Sequence, residues 1–204
     1  AEDYAKVRDY AAAGLHHGDR AGSRYYAILS RALDAAARGH IDAHEDALAE
    51  MEHCLRWSTH TQSGYTLSLI HSWAAELALR LGDPARAEHH ARLCIGQGRH
   101  RLYWGAAEAW RVRAALATDA AAALRALTHA YVHARRMGSL REWAANLATH
   151  GTVCTRFGDE AQGRDLRAAA VSMRAAMGLP INRLHLAAET EQPADTQYVR
   201  ASAL

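Results

Sequence analysis

The sequence has little of what β-sheets are built from. It contains one phenylalanine and 3 prolines in 204 residues, and its β-branched residues are sparse. This composition argues against a sheet, because β-branched and aromatic residues fit the pleated surface of a strand best. Alanine is abundant instead, and alanine has the highest intrinsic helix propensity. Since 50% of the residues are hydrophobic, the chain can bury the core of one domain. We therefore predict an all-α protein.

A strong charge of one sign is also missing. The formal net charge is +2, from 24 basic and 22 acidic residues with His neutral, which provides no basic footprint for nucleic acid. No apolar stretch approaches the roughly 18 residues of a membrane span, and no segment has the pattern of a signal peptide. We therefore predict a cytoplasmic protein with no direct nucleic-acid partner and no membrane partner. Because the chain begins with Ala1, we expect a piece of a longer protein in preference to a processed one.

Residues arranged for cofactor or catalytic chemistry are missing too. Cys54, Cys94 and Cys154 are odd in number and far apart, which argues against a disulfide framework or a zinc module. We expect them to be small buried hydrophobic residues. The sequence has no Gly-x-Ser-x-Gly, no P-loop and no Gly-x-Gly-x-x-Gly between a strand and a helix. We therefore predict a protein that is not an enzyme, with no catalytic residues and no cofactor.

Fourteen histidines are the strongest hint of metal chemistry. His40 and His44 are one helical turn apart, and Glu50 with His53 forms a Glu-x-x-His. A di-iron carboxylate bundle needs a second Glu-x-x-His and two further glutamates on facing helices, and the sequence has no second copy. We predict no metal ligands and expect solvated helix faces, with the neighbouring pair His89-His90 at the surface. A helical enzyme or metal-binding protein that uses the histidine-rich helices remains the alternative.

Hydrophobic periodicity and capping signals predict nine helices. The pair Asp83-Pro84 is a strong start signal, because Asp accepts the free N–H groups of a first turn and Pro is favoured at the first helical position. Asp119 and Asp159 are predicted to begin helices in the same way, as is Asp42 at the third helix, and Gly39 is predicted to end the second. The predicted helices span about residues 2–17, 25–38, 42–57, 65–81, 83–97, 102–117, 119–137, 140–157 and 159–177.

A loose internal repeat organises these helices. The segments LGDPARAEHHARLC (81–94) and FGDEAQGRDLRAAA (157–170) both begin with an apolar residue and Gly-Asp and continue as a helical run. Such repeats indicate stacked helical hairpins, each too small to bury its own apolar face. We pair the helices from the second to the ninth, so the first is an incomplete unit or a cap. The domains are then a helix at 1–22, repeats at 23–178 and an irregular tail at 179–204, which either folds back on the repeats or links to a missing domain.

The repeat resembles the tetratricopeptide repeat (TPR) family. The TPR motif places a small residue about seven positions before a Gly-Asp turn and an alanine five positions after that glycine, and Ala75, Gly82-Asp83 and Ala87 fit it. The unit around Gly158 fits in part, because Gly163 stands where alanine is usual. Units longer than the family standard are similar to the degenerate repeats of large bacterial signal-transduction ATPases and transcriptional regulators.

The resemblance implies a right-handed α-solenoid of about four TPR-like hairpins, with an N-terminal helix and an irregular C-terminal tail. It also implies a non-catalytic module that binds a protein, a peptide or a small effector, as the sensor or scaffold part of a larger bacterial regulatory protein. The groove of such a solenoid is lined mainly by the first helix of each pair. The groove residues predicted in this way are Tyr26, Leu29, Leu33, Leu69, Ser72, Glu76, Arg80, Glu108, Val112, Ala145, Thr152 and Arg156.

Overall fold

The computed structural model describes residues 4–42, 44–58, 64–97 and 105–179. These residues form nine α-helices and no strand, which confirms the all-α prediction for this part of the chain. None of these helices combines the length and apolar character needed to cross a membrane. The helices are α1 (Tyr4–Arg20), α2 (Arg24–Ile41), α3 (Glu45–Ser58), α4 (Gly64–Arg80), α5 (Pro84–Gln97), α6 (Ala106–Leu116), α7 (Ala120–Met137), α8 (Leu140–Arg156) and α9 (Glu160–Ala176).

Two parts of the sequence prediction lie outside the described residues. The predicted tail is described only at its first residue, Leu179. The predicted start of the sixth helix, at 102–104, is also outside them, and the described helix α6 begins at Ala106.

The predicted aspartate caps of α5, α7 and α9 are confirmed. The carboxylate of Asp119 accepts the backbone N–H of Ala122 at 2.7 Å, and Asp159 accepts that of Gln162 at 3.0 Å. Asp83 does the same for the third residue of α5, at 2.9 Å. Each carboxylate satisfies a backbone donor that has no partner within the helix and places negative charge at its positive end.

Two predicted boundaries between α2 and α3 are wrong. Gly39 does not end α2, which continues to Ile41. Gly39 is buried inside the helix, and a Cβ at this position would lie 2.9 Å from the Leu77 side chain, so the glycine permits a close approach of α2 and α4. Asp42 does not cap α3. It follows the end of α2, where its N–H bonds the carbonyl of Arg38 at 2.9 Å.

The α6–α7 connection differs from the α4–α5 and α8–α9 connections. Gly82 and Gly158, with φ of 75° and 97°, turn the chain through the left-handed region that favours glycine. The next residue in each turn then donates its N–H to a carbonyl of the last helical turn, at 2.9 Å in both. After α6, Ala117 is extended and Thr118 stands in place of the glycine. The last carbonyls of α6 therefore need another partner.

The helices pack in sequence order, and the even-numbered ones also contact each other. Every helix contacts the next one along the chain, and α2 contacts α4, α4 contacts α6 and α6 contacts α8. We call these four helices the even-helix row. The core between the helices is rich in alanine, and Ala75 and Ala87 are fully buried. Such small side chains allow the backbones of neighbouring helices to cross closely.

Candidate functional site

A continuous series of polar side chains runs along the even-helix row. Its members on one helix are three or four positions apart, and residues at this spacing lie on the same helix face. We call this series the polar stripe. Its members are His40 on α2, Glu76 and Arg80 on α4, Glu108 and Arg111 on α6, and Glu142 and Asn146 on α8.

At the first end of the polar stripe, His40 connects α2 to α4. Arg80 Nη1 lies 3.3 Å from His40 Nδ1. Arginine can only donate, so His40 Nδ1 is the acceptor and the neutral ring carries its proton on Nε2. That nitrogen lies 3.9 Å from Glu76 Oε2. The ring of Tyr4 stacks on His40, with 4.6 Å between the ring centroids, and this contact fixes the imidazole from the α1 side.

In the middle of the polar stripe, two carboxyl groups meet across α4 and α6. The Glu108 side chain is hydrogen-bonded to Glu76, and a bond between two carboxyl groups requires a proton on one of them. Burial raises the pKa of Glu108 well above its usual value, and the hydrogen bond and charge of Glu76 raise it further. Arg111 acts in the opposite direction, while Glu142 adds to the increase. Glu108 therefore favours the neutral acid, which can donate to Glu76.

We expect Glu108→Gln to raise stability at pH 8 and to leave it nearly unchanged at pH 4.5. The folded-state pKa of Glu108 is raised, so its stabilising contribution is complete below the ordinary pKa of 4.5 and is lost as the pH rises through the raised value. A Gln amide donates its own N–H to Glu76 at every pH and does not need to be protonated first. One hydrogen bond contributes about 1 kcal/mol net, so we expect a gain of about that size at pH 8, roughly 2–4 °C in Tm.

Thermal melts at both pH values, followed by circular dichroism, measure this difference. The exposed Glu160→Gln variant on α9 is the control and should follow the parent at both pH values. A Glu108→Gln variant that melts below the parent at pH 8 would contradict the shared-proton interpretation of the polar stripe.

At its far end, the polar stripe is held by one arginine. Arg111 Nη1 donates to Glu142 Oε2 at 2.6 Å and to Asn146 Oδ1 at 3.0 Å. The charge of Arg111 lowers the pKa of Glu142, so this carboxylate is ionised. Asn146 is fully buried, and its Nδ2 has no hydrogen-bond partner among the described residues. A buried amide with an unused donor is costly, so Asn146 contributes one unsatisfied N–H to the interior of the polar stripe.

The structure brings three of the predicted groove residues together and separates the others. Glu76, Arg80 and Glu108 belong to the polar stripe. Four further predicted residues, namely Leu29, Leu33, Leu69 and Ala145, are half-buried on the even helices, while Tyr26 is 60% exposed.

Three other predicted groove residues have contacts that serve the fold. Val112 is 3% exposed and belongs to the apolar core. The hydroxyl of Ser72, also buried, donates to the Leu69 carbonyl at 2.9 Å. Thr152 is exposed, and its hydroxyl donates to a carbonyl of its own helix, that of Ala148, at 3.2 Å.

Arg156 is the last predicted groove residue. It lies at the end of α8 and caps the C-terminus of α6. Its guanidinium donates to the carbonyls of Ala115 and Ala117, at 2.5 and 2.8 Å, and lies 3.4 Å from that of Ala114. Ala114 and Ala115 lie in the last turn of α6 and Ala117 directly follows it, where the α6–α7 connection has no glycine turn. A cation at a helix C-terminus also interacts favourably with the helix dipole.

We expect Arg156→Ala to destabilise the chain by about 1–2 kcal/mol, because several charge-assisted hydrogen bonds are lost together. Chemical denaturation measures the change. Arg164→Ala on α9 is the control: Arg164 has an exposed ion pair with Glu160 at 3.9 Å, and exposed pairs contribute at most about 1 kcal/mol. Equal unfolding free energies for the two variants would contradict the capping role of Arg156.

A second buried polar cluster joins α3, α4 and α5. His71 Nδ1 lies 3.0 Å from His90 Nδ1, and His90 Nε2 lies 3.4 Å from Glu52 Oε1. The carboxylate must accept from Nε2, so His90 Nδ1 is an acceptor and His71 Nδ1 donates to it. The expectation that His90 lies at the surface is wrong, since it is 4% exposed, whereas its neighbour His89 is exposed.

Burial lowers the pKa values of both histidines. The pKa of His71 falls to about 3, by burial first and then by the charges of His90 and His89. Burial also lowers the pKa of His90, and Glu52 opposes this change in part. Both rings are therefore neutral at pH 7. Within the described residues, no group of three or more His, Cys, Asp or Glu side chains is placed to hold a metal ion.

Comparisons of the chain with protein-family models, curated proteins and solved structures found no significant match.

Proposed function

We propose that the chain is a non-catalytic binding module built as a right-handed solenoid of TPR-like hairpins, and that a protein or peptide segment binds along the polar stripe. The observation that supports this most is the even-helix row, in which α2, α4, α6 and α8 contact one another in order. A row of this kind is what stacked hairpins produce on one side of a solenoid. By its resemblance to degenerate repeats, we further propose that the module is the sensor or scaffold part of a cytoplasmic bacterial regulatory protein.

The dimensions of the row favour an extended segment as the ligand. Packed helices lie about 8–10 Å apart, so the axes of α2 and α8 are roughly 24–30 Å from each other. An extended chain advances about 3.3 Å per residue, and about seven to nine residues would follow the row from end to end.

The polar stripe is suited to hold such a segment because its side chains are already fixed. Arg111 is held by Glu142 and Asn146, and His40 by Arg80 and Tyr4. Ordering free side chains costs about 0.5–1.5 kcal/mol each when a complex forms, and this cost is reduced where a network already holds them. The stripe also offers both charge signs, on Arg111 and on the ionised Glu142.

A metal-binding or catalytic role for the histidines is less well supported. In the cluster of His71, His90 and Glu52, both ring nitrogens of His90 already have protein partners. His44, one of the histidines that suggested metal chemistry, pairs instead with Asp42 at 2.9 Å, and both side chains are largely exposed.

Selection of peptides from a displayed random library against the purified chain tests the proposal. We expect selected sequences to compete with one another for one site. Glu142→Gln should weaken their binding at least tenfold, because it removes the carboxylate charge that holds Arg111 and that a segment bound along the stripe would contact. Glu160→Gln on α9 is the matched control and should leave affinity unchanged. Peptides that bind both variants equally, or a library that yields no binder, would contradict the proposal.

A further inference from the structure

A cavity of about 590 Å³ lies between α5, α6 and α7, away from the polar stripe. On α6, the lining residues Trp110 and Arg113 each follow a stripe residue by two positions, which is about 200° around the helix axis. The remaining walls come from the start of α5, the Thr118 connection and the first half of α7. The cavity therefore lies where the glycine turn is missing, beside the short helix α6.

The charged residues that line this cavity are mainly cationic. Arg113 and Arg125 lie on α6 and α7, and Glu88 on α5 is the one acidic residue among the lining side chains. Glu88 is already paired with Arg113, at 3.2 Å. Arg125 is exposed and has no ion pair within the part of the chain that the structure describes. The lining side chains thus carry an excess positive charge that no ion pair among the described residues balances.

An ordered pair of rings forms one wall of the same cavity. Trp110 stacks on His129, with 4.3 Å between the centroids and 21° between the planes. The Arg113 guanidinium lies 5.2 Å from the centre of the Trp110 ring, so it is held by a cation–π contact as well as by Glu88. His129 is exposed and lines the cavity together with apolar side chains such as Leu116 and Ala126. A flat apolar group can lie against this wall.

We propose that this cavity binds a small organic anion that carries a flat ring, with its acidic group on Arg125 and Arg113 and its ring against His129. The volume falls within the range of about 300–1,000 Å³ that is usual for small-molecule sites. Guanidinium groups bind carboxylate and phosphate through paired donors, and both acids present the same chemistry to Arg125. This site is separate from the polar stripe and does not depend on the function proposed for it.

Calorimetric or NMR titration of the full chain tests the site with three probes that each carry a flat ring system: adenosine 5′-monophosphate, 2-naphthoate and uncharged adenosine. We expect at least one anion to bind more tightly than adenosine, and its binding to weaken as salt is added, because screening acts on exposed charges. Preference for the monophosphate would assign a phosphate ligand, and preference for naphthoate a carboxylate ligand. Equal binding of adenosine and both anions, or no binding of any probe, would overturn the proposal.

Arg125→Gln locates the binding site. Because Arg125 is exposed and unpaired within the described residues, the variant should keep the parent's Tm while binding of the preferred anion weakens at least tenfold. Arg164→Gln on α9 is the control and should bind as the parent does. Unchanged binding in Arg125→Gln would overturn the assignment of this cavity. The peptide-binding variant Glu142→Gln should bind the preferred anion as tightly as the parent does.

Discussion

Gly151→Leu should destabilise the chain by about 3 kcal/mol or more, at the upper end of what overpacking usually costs. A Cβ at Gly151 would lie 2.7 Å from the carbonyl oxygen of Gly163 and 2.7 Å from Arg167 Cγ. A Cβ at Gly163 would in turn lie 2.8 Å from the Gly151 carbonyl. The two helices α8 and α9 thus cross with backbone against backbone, and a backbone cannot move aside as a flexible side chain can. For a chain of this size we expect Tm to fall by roughly 6–12 °C.

Gly96→Leu is the matched control for this prediction. Gly96 is also a helical glycine, in α5, but a Cβ there would meet none of the described residues within 4 Å. Leucine has a higher helix propensity than glycine by up to about 1 kcal/mol, so this variant should be neutral or slightly stabilised. If the two leucine variants melt at the same temperature, the close crossing of α8 and α9 is wrong.

We expect His71 alone to remove about 2–3 kcal/mol of stability between pH 7 and pH 4.5. Its pKa falls from the ordinary 6.5 to about 3 in the folded chain, through burial and the nearby His90 and His89. A base with a lowered pKa contributes stability that is fully present above pH 6.5 and is lost as the pH falls toward the folded value, because the unfolded chain binds more protons. The raised pKa of Glu108 increases stability as the pH falls, which opposes the effect of His71. The test therefore compares variants with the parent.

His71→Asn should reduce this loss by about 2–3 kcal/mol, because the amide can donate to His90 but cannot be protonated. Urea denaturation at pH 7 and pH 4.5 gives the difference for each variant, and the Glu108 contribution cancels because it is common to both. The exposed His16→Asn is the control and should show the parent's pH dependence. An identical loss in His71→Asn and the parent would contradict the buried neutral pair.

The local signals in the sequence predict the helices well, because they depend on contacts within a few residues. Asp83, Asp119 and Asp159 cap their helices through backbone groups three positions away. Gly39 was misinterpreted for the opposite reason. Its role is set by Leu77 on another helix, and a sequence pattern does not distinguish a glycine that ends a helix from one that lets a neighbour approach.

The candidate site was only partly predictable, because its members occupy different positions in the repeat. Glu76 lies six residues before the turn glycine Gly82, whereas Glu142 lies sixteen before Gly158. The repeat motif therefore does not align these carboxylates, and Glu142 was missed together with His40, Arg111 and Asn146. The spacing of three or four that joins stripe residues on one helix is present in the sequence, and it would have found Arg111 from Glu108.

Arg156 is an error of the opposite kind. Its position in the repeat predicts a groove residue, but its contacts stabilise the fold. The α6–α7 connection lacks a glycine turn at Ala117, which is 39 residues before Arg156. Nothing near Arg156 in the sequence indicates this. His90 was misplaced for a similar reason. An adjacent pair of histidines predicts that the two rings point in different directions, but not which of them faces a buried partner such as His71.

Amide chemical-shift mapping of the 22.3 kDa chain with a selected peptide shows whether a peptide segment binds along the even-helix row. We expect the largest shift changes along the polar stripe, at Glu76 on α4, Glu108 on α6 and Glu142 on α8, with weaker changes on α5, α7 and α9. Changes concentrated on the odd-numbered helices, or confined to a single helix pair, would contradict it.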